Sequence, residues 1–129
     1  LVWQAERRFL GNAARHGVPV VVLDVPLLLE AEADKLCDAV GVVTAPPFVQ
    51  KPRVMSRPGM TEERFQAIME EQMPDAEKRM RADFIINTGR GKSDGLRQAK
   101  SIVKVTSSWR GHHWPPNASA RKFYQESRN

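Results

Sequence analysis

Three short apolar runs, at residues 18–24, 39–45 and 83–87, show almost no alternation between polar and apolar residues. A strand that is buried on both faces of a parallel sheet has this character. Segments of helical period lie before the first run, between the second and third runs, and after the third. The alternation of strand-like and helix-like segments predicts an α/β domain with a parallel sheet and flanking helices.

Two of the predicted helices stand before and after the strands. Residues 2–15 place apolar side chains on one side of a helix, and His16-Gly17 then provides a C-terminal stop. Residues 93–105 form the last predicted helix, with Ser93 or Asp94 as its cap. These boundaries put one helix before the first strand and one after the third.

The polar segment 46–81 is predicted to form a set of short helices rather than one long helix. A helix is expected to begin at 46–47, and Pro52 within it should kink or break it. Residues 57–60 (RPGM) form a turn. Thr61 is expected to cap a second helix, and Pro74 to take the first position of a short basic helix.

The positive charge of the chain is concentrated at one end. The 129 residues carry 20 Lys and Arg against 15 Asp and Glu, a net charge of +5. Residues 1–100 hold 15 of the basic and 14 of the acidic residues, whereas residues 101–129 hold 5 and 1. Residues 107–129 show no periodicity and are predicted to be an irregular basic tail. Composition therefore does not favour nucleic acid as a partner of the folded part.

Several classes of protein are excluded by composition. No apolar run approaches the roughly 18 residues of a membrane span, so no membrane partner is expected. The single Cys37 excludes an intramolecular disulfide framework and favours a cytoplasmic, reducing setting. The first residues have no apolar signal-peptide core and no initiator Met, so we expect the natural protein to begin before Leu1.

Asp24 directly follows the first apolar run. In open α/β sheets the ligand crevice lies at the carboxyl ends of the strands, so a carboxylate here can reach a metal-bound phosphate. The alternative is that Asp24 caps the next helix. The spacing alone leaves both interpretations open.

Arg53 and Arg57 are four residues apart, so one continuous helix would place them on the same face. Converging guanidinium groups offset the negative charge of a phosphoryl group, as a phosphoryl-transfer site requires. A solvent-exposed charged face, paired with neighbouring glutamates, is the alternative.

Several segments, in order and at the right spacing, resemble the dephospho-CoA kinase family over residues 2–105. The residues that carry the resemblance are VVLDVPLLLE (21–30), Gln50, Arg53 and Arg57, RPGMTEE (57–63), Gln72 and ADFIIN (82–87). The resemblance implies a P-loop kinase of the nucleoside-monophosphate-kinase type, with a parallel sheet and a helical lid. Such an enzyme transfers the γ-phosphoryl group of ATP, with Mg²⁺, to the 3′-hydroxyl of dephospho-CoA in coenzyme A biosynthesis.

The resemblance also implies roles for individual residues. Asp24 would lie near the magnesium and phosphates, reaching the metal indirectly through a Mg²⁺-bound phosphate. Residues 46–81 would be the lid segment, and its Arg53 and Arg57 would act on the transferred group as catalytic residues. Substrate binding would fall to Asp24, Leu27, Leu28, Glu30 and Lys78, and nucleotide binding to Asn87, Thr88 and Gly89.

The chain also departs from the family pattern. The N-terminal P-loop of the family, and the acidic residue after it that would act as general base, have no counterpart in these 129 residues. We therefore expect a partial kinase domain over residues 1–106 that is a truncated and inactive portion, with strand edges open to self-association. A non-catalytic relic that binds only the acceptor, or a basic-tailed nucleic-acid-binding module, are the alternatives.

Overall fold

The computed structural model describes residues 2–111, with side chains from Gln4 onward. Two of the three predicted strands are present and helices flank them, so the chain has the predicted α/β fold. In chain order the elements are α1 (Val2–Arg15), a short 3-10 helix (Ala33–Leu36), β1 (Gly41–Thr44), α2 (Pro47–Met55), α3 (Glu62–Glu71), α4 (Asp75–Arg81), β2 (Phe84–Asn87) and α5 (Lys92–Thr106).

In the described part of the chain, the sheet consists of β1 and β2, which pair in parallel. The register runs from Gly41 opposite Phe84 to Thr44 opposite Asn87. Asp83 fixes the beginning of this register, because its carboxylate accepts the Val40 N–H at 2.8 Å and its own N–H donates to the Val40 carbonyl at 2.9 Å. The parallel pairing brings the carboxyl ends of both strands to one edge, where α2 and the loop after β2 begin.

The strand predicted at residues 18–24 is absent, and that prediction is wrong. This segment carries no regular secondary structure, and Val22 is 73% exposed. A strand needs a neighbour to take up its backbone hydrogen bonds. Within residues 2–111 no strand pairs with this segment, so its apolar composition alone does not make it part of the sheet.

The core of the fold is small and lies around β1. Leu29, Val40 and Val42 form its buried centre, with Leu29 only 4% exposed. Four partly buried residues pack against this cluster: Leu28, Cys37, Met73 and Ala82. The core thus joins the segment before the 3-10 helix, strand β1 and the connection between α3 and α4.

The predicted stop of the first helix is confirmed. Gly17 has a φ of +66°, which a glycine adopts without steric cost. The Gly17 N–H donates to the Ala14 carbonyl, and the Val18 N–H donates to the Ala13 carbonyl, both within 3.2 Å. This pair of bonds is a Schellman motif and satisfies the last carbonyls of α1.

The lid segment forms three separate helices, α2, α3 and α4, as predicted. The Thr61 hydroxyl accepts the Arg64 N–H at 3.2 Å, which confirms it as the cap of α3. The break expected at Pro52 does not occur, and α2 runs through it. Proline has a helical φ, and the carbonyl that loses its partner belongs to Phe48, which is 79% exposed and open to water.

The ends of two other helices differ from the prediction. Pro74 precedes α4 instead of forming its first residue. Helix α5 begins at Lys92 after Gly91, whose φ is 104°, so neither Ser93 nor Asp94 is its cap. The Asp94 side chain instead bonds to Arg97 and Gln98 within the helix.

The predicted tail begins inside the described residues and continues beyond them. Trp109 packs on Phe84 at the start of β2, with ring centroids 5.7 Å apart. Residues 112–129 lie outside the described residues, so the boundary at residue 106 stays a prediction. None of the helices in residues 2–111 is long and apolar enough to cross a membrane.

Candidate functional site at the carboxyl edge of the sheet

The loop after β2 is fastened to the end of β1 by Thr88. Its N–H donates to the Thr44 carbonyl at 2.9 Å, and its hydroxyl donates to the same carbonyl at 3.3 Å. The next turn is closed by Asn87, whose side-chain oxygen accepts the Gly89 N–H at 2.8 Å. The three residues predicted to bind nucleotide are therefore held in a defined loop at the carboxyl edge.

Gly89 is required by the close approach of two loops. A Cβ atom at this position would lie 2.9 Å from Pro46 Cδ and 3.0 Å from Asn87 Oδ1. The distance to the rigid Pro46 ring is shorter than real Cβ contacts, and the distance to the bonded Asn87 amide oxygen is tighter than most of them. The glycine thus allows the segment between β1 and α2 to pack against the loop after β2.

Gln98 of α5 supports the same loop and was not found by sequence reasoning. Its Oε1 accepts the Asn87 N–H, and its Nε2 donates to the Asn87 carbonyl, each at 2.9 Å. The amide side chain therefore bonds to the backbone of Asn87 as a neighbouring strand would. A glutamine two turns into a helix gives no signal of this role in the sequence.

Arg53 connects the lid segment to the loop. Its Nη1 donates to the Thr88 hydroxyl at 3.2 Å, and its Nη2 donates to the Thr88 carbonyl at 3.0 Å. The two residues are 35 positions apart and were predicted to serve the lid and the nucleotide, respectively. The structure brings them together through one forked guanidinium.

Arg57 is not on the same helix face as Arg53, which corrects that expectation. Helix α2 ends at Met55, so Arg57 lies in the turn before α3. Its side chain is exposed and makes no hydrogen bond or ion pair with residues 2–111. Arg57 is therefore a solvent-accessible cation just after the end of α2, the helix that carries Arg53.

A second polar group forms around Glu30. Its Oε1 accepts the Met73 N–H at 2.9 Å and lies 3.2 Å from the Lys78 ammonium, which also donates to Gln72 Oε1 at 3.1 Å. Burial acts to raise the pKa of the Glu30 carboxyl, but hydrogen bonds from the Met73 and Glu30 amides and from Lys78 lower that pKa more. The pKa of Glu30 therefore lies below its ordinary value, and the carboxylate is charged at neutral pH.

Thr44 links the two polar groups and was also missed. Its carbonyl accepts the bonds from Thr88, and its hydroxyl donates to Asp75 Oδ1 at 2.8 Å. Asp75 is the first residue of α4, the helix that carries Lys78. The end of β1 is thus bonded both to the loop after β2 and to the last helix of the lid segment.

Asp24 and Leu27 lie on the exposed side of the segment before the 3-10 helix. Asp24 does not stand at the end of a strand as expected, and its carboxylate has no hydrogen bond or ion pair within residues 2–111. Leu27 is 40% exposed and has a φ of 56°, a region that costs free energy for a residue other than glycine. Leu28, the next residue, is half-buried against the core.

No group of three His, Cys, Asp or Glu side chains that could hold a metal ion occurs among the described residues. A single exposed carboxylate such as Asp24 does not bind Mg²⁺ on its own.

Two parallel strands joined by a helical crossover, with polar groups gathered where the strands end, define an α/β protein of the class in which ligands generally bind at the carboxyl edge of the sheet. A family model for dephospho-CoA kinase matches residues 3–94. The chain belongs to the dephospho-CoA kinase family.

Curated relatives support the same assignment. The chain is 46% identical over 104 residues to a dephospho-CoA kinase of Bartonella quintana, a match that covers 81% of this chain and 53% of the relative. It is 45% identical over 104 residues to that of Agrobacterium fabrum, covering 81% and 54%. The dephospho-CoA kinase of Rhodopseudomonas palustris strain BisB18 is 45% identical over 101 residues, covering 78% and 51%.

The chain thus spans about half the length of the curated relatives that it matches. No solved structure matches it.

Proposed function

We propose that this chain contributes the lid and acceptor side of an enzyme that transfers the γ-phosphoryl group of ATP to the 3′-hydroxyl of dephospho-CoA. The observation that carries the proposal is the Arg53 fork on Thr88. It brings the lid helix α2 to the loop that follows β2, at the edge where α/β proteins bind nucleotides. Membership of the dephospho-CoA kinase family supports ATP and dephospho-CoA as the two substrates, and we propose that ATP brings its Mg²⁺ ion. We place the reaction in the cytoplasm.

On the donor side, the proposal gives different tasks to the two arginines. Arg53 holds the lid helix at the loop of Asn87, Thr88 and Gly89, beside which the adenine would bind. Arg57 has an exposed guanidinium that can reach the transferring phosphoryl group when the lid segment closes. Catalysis of phosphoryl transfer depends mainly on positioning and on offsetting negative charge, and a guanidinium supplies both.

On the acceptor side, we propose that residues 24–30, here called the acceptor segment, contact dephospho-CoA. Leu27 presents an exposed apolar side chain, and Leu28 is anchored on the core beneath it. The Asp24 carboxylate would face the Mg²⁺-bound phosphates. Glu30 and Lys78, which were also expected to bind substrate, form an ion pair with each other at 3.2 Å.

The test is a hybrid protein in which residues of this chain replace the 104 matching residues of the Bartonella quintana relative. The hybrid is mixed with ATP, Mg²⁺ and dephospho-CoA, and formation of coenzyme A is followed. We expect turnover in the range of about 1 to 100 s⁻¹ that is typical of kinases. A hybrid that is folded by circular dichroism but forms no coenzyme A, alongside an active parent relative, would contradict the proposal.

A further inference from the structure

We propose that Glu30 and Lys78 are positioning residues that couple the acceptor segment to the junction between α3 and α4, so that the acceptor segment and the lid segment move as one unit. The acceptor role of residues 24–30 rests on the function proposed above. The coupling itself rests on contacts between two parts of the chain that are 43 residues apart.

The Glu30 carboxylate contacts both the connection between α3 and α4 and the first turn of α4. Helix α3 ends at Glu71 and helix α4 begins at Asp75. Between them, the Met73 N–H donates to Glu30 Oε1 at 2.9 Å, and from the first turns of α4 the Lys78 ammonium approaches the same oxygen to 3.2 Å. The orientation of α4 relative to α3 is therefore tied to the position of Glu30.

The pair is shielded from solvent in a way that a surface pair is not. The Glu30 and Lys78 side chains are 17% and 21% exposed, whereas those of the Lys51–Glu62 pair between α2 and α3 are 48% and 52% exposed. Screening by water weakens exposed pairs, and removing one partner of a shielded pair leaves a poorly solvated charge. Two of the three N–H groups of Lys78 are occupied by Glu30 and Gln72, so the pair is engaged internally.

Apolar packing stiffens the same connection. Leu29, the neighbour of Glu30, is 4% exposed and packs with Val40 and Val42. Met73 packs against this cluster from the junction side. A displacement of the acceptor segment is therefore transmitted through both the ion pair and the core contact, because packed interiors do not deform smoothly.

The experiment measures hydrogen exchange of the 129-residue chain and of three variants, Glu30→Gln, Lys78→Met and Glu62→Gln. Exchange is followed in α4 and at the amides of Ala31, Glu32 and Ala33, which are hydrogen-bonded to carbonyls of residues 27–29. We expect Glu30→Gln to speed exchange in α4, and Lys78→Met to speed exchange at residues 31–33, each by about tenfold. The matched control Glu62→Gln breaks the exposed pair and should change neither region.

Two exchange results would overturn the proposal. In one, each variant affects only the segment that contains the substituted residue. In the other, exchange rises equally in β2 and α5, which would show a general loss of stability instead of a specific coupling.

Binding of dephospho-CoA supplies a second readout, which a merely structural role would not produce. If the residues act through each other, the Glu30→Gln, Lys78→Met double variant should bind no more weakly than the weaker single variant, within about twofold. If each residue touches the ligand independently, the two losses in affinity should multiply, and the proposal fails. If the unsubstituted chain does not bind dephospho-CoA, the proposed acceptor function fails, and the reciprocal exchange effects alone decide the coupling.

Discussion

At the scale of single residues, Glu30 links the chemistry of one carboxyl group to the stability of the chain. Its pKa in the folded protein lies below the ordinary value of 4.5, because the bonds from Met73, its own amide and Lys78 outweigh the effect of burial. A group whose folded pKa is lowered contributes stability above its unfolded pKa, and that stability is lost as the pH falls through the folded pKa.

We therefore expect the free energy of unfolding to fall as the pH is lowered below about 4.5, and to fall less steeply in Glu30→Gln. The measurement is urea unfolding from pH 6 to pH 3, followed by circular dichroism. Glu62, whose pKa is lowered mainly by a hydrogen bond from Lys51, belongs to the exposed pair described above, so Glu62→Gln serves as the control. Identical pH profiles for the parent and Glu30→Gln would refute the prediction.

Arg57 is the second residue whose effect can be measured alone. In the active hybrid, Arg57→Ala should lower the rate of phosphoryl transfer by at least about tenfold, because a guanidinium at the transferring group stabilises its charge. Arg81, also exposed, lies at the end of α4, and Arg81→Ala is the matched control. If Arg57→Ala and the control had equal rates, Arg57 would be only a solvent-exposed charged residue without a role in phosphoryl transfer.

At the scale of the secondary-structure elements, the contact between the segment before α2 and the loop after β2 depends on Gly89. Gly89→Ala would place a Cβ 2.9 Å from Pro46 Cδ, so the two loops must separate. We expect a loss of about 1 to 3 kcal/mol in the free energy of unfolding, as overpacking typically costs. Gly41 in β1 is the control, since a Cβ there meets nothing within 4 Å. Equal effects of Gly89→Ala and Gly41→Ala in urea unfolding would show that the predicted steric conflict does not exist.

The elements that could be predicted from the sequence are those whose signals are local. The stop at Gly17, the cap at Thr61 and the division of the lid segment depend on backbone preferences of neighbouring residues, and these were correct. The strand at residues 18–24 was wrong because a strand is defined by its partner, which apolar composition does not reveal. The break expected at Pro52 does not occur, since the Phe48 carbonyl that loses its helical partner belongs to an exposed residue and can bond to water.

The candidate site was predictable only in part, for a related reason. Arg53, Glu30, Lys78 and Thr88 were singled out by their resemblance to a family pattern, but their mutual contacts depend on how distant elements pack. The bonds from Arg53 to Thr88 and from Met73 to Glu30 join residues 35 and 43 positions apart. Thr44 and Gln98 were missed because their roles come from tertiary position and leave no motif in the sequence.

At the scale of the whole molecule, the 129-residue polypeptide should form no coenzyme A by itself. These residues contain no Gly-x-x-x-x-Gly-Lys-Ser/Thr motif, and phosphoryl transfer needs the backbone cradle and lysine that this motif supplies. The assay combines the purified polypeptide with ATP, Mg²⁺ and dephospho-CoA. Turnover at about 1 s⁻¹ or faster would show that other groups hold the phosphates.

The bonds from Gln98 to Asn87 also bear on how the protein avoids aggregation. Phe84 and Thr88 direct their N–H groups toward β1, so the alternate residues Ile85 and Asn87 face the outer edge of β2. The amide of Gln98 occupies both backbone groups of Asn87, which leaves Ile85 as the outward-facing residue of that strand without this cover. The Gln98 side chain thus blocks pairing of another strand at Asn87, and such pairing is a known cause of aggregation at exposed sheet edges. Gln98→Leu should remove both bonds to Asn87 and increase light scattering of concentrated solutions. Unchanged scattering would mean that β2 is protected by other means.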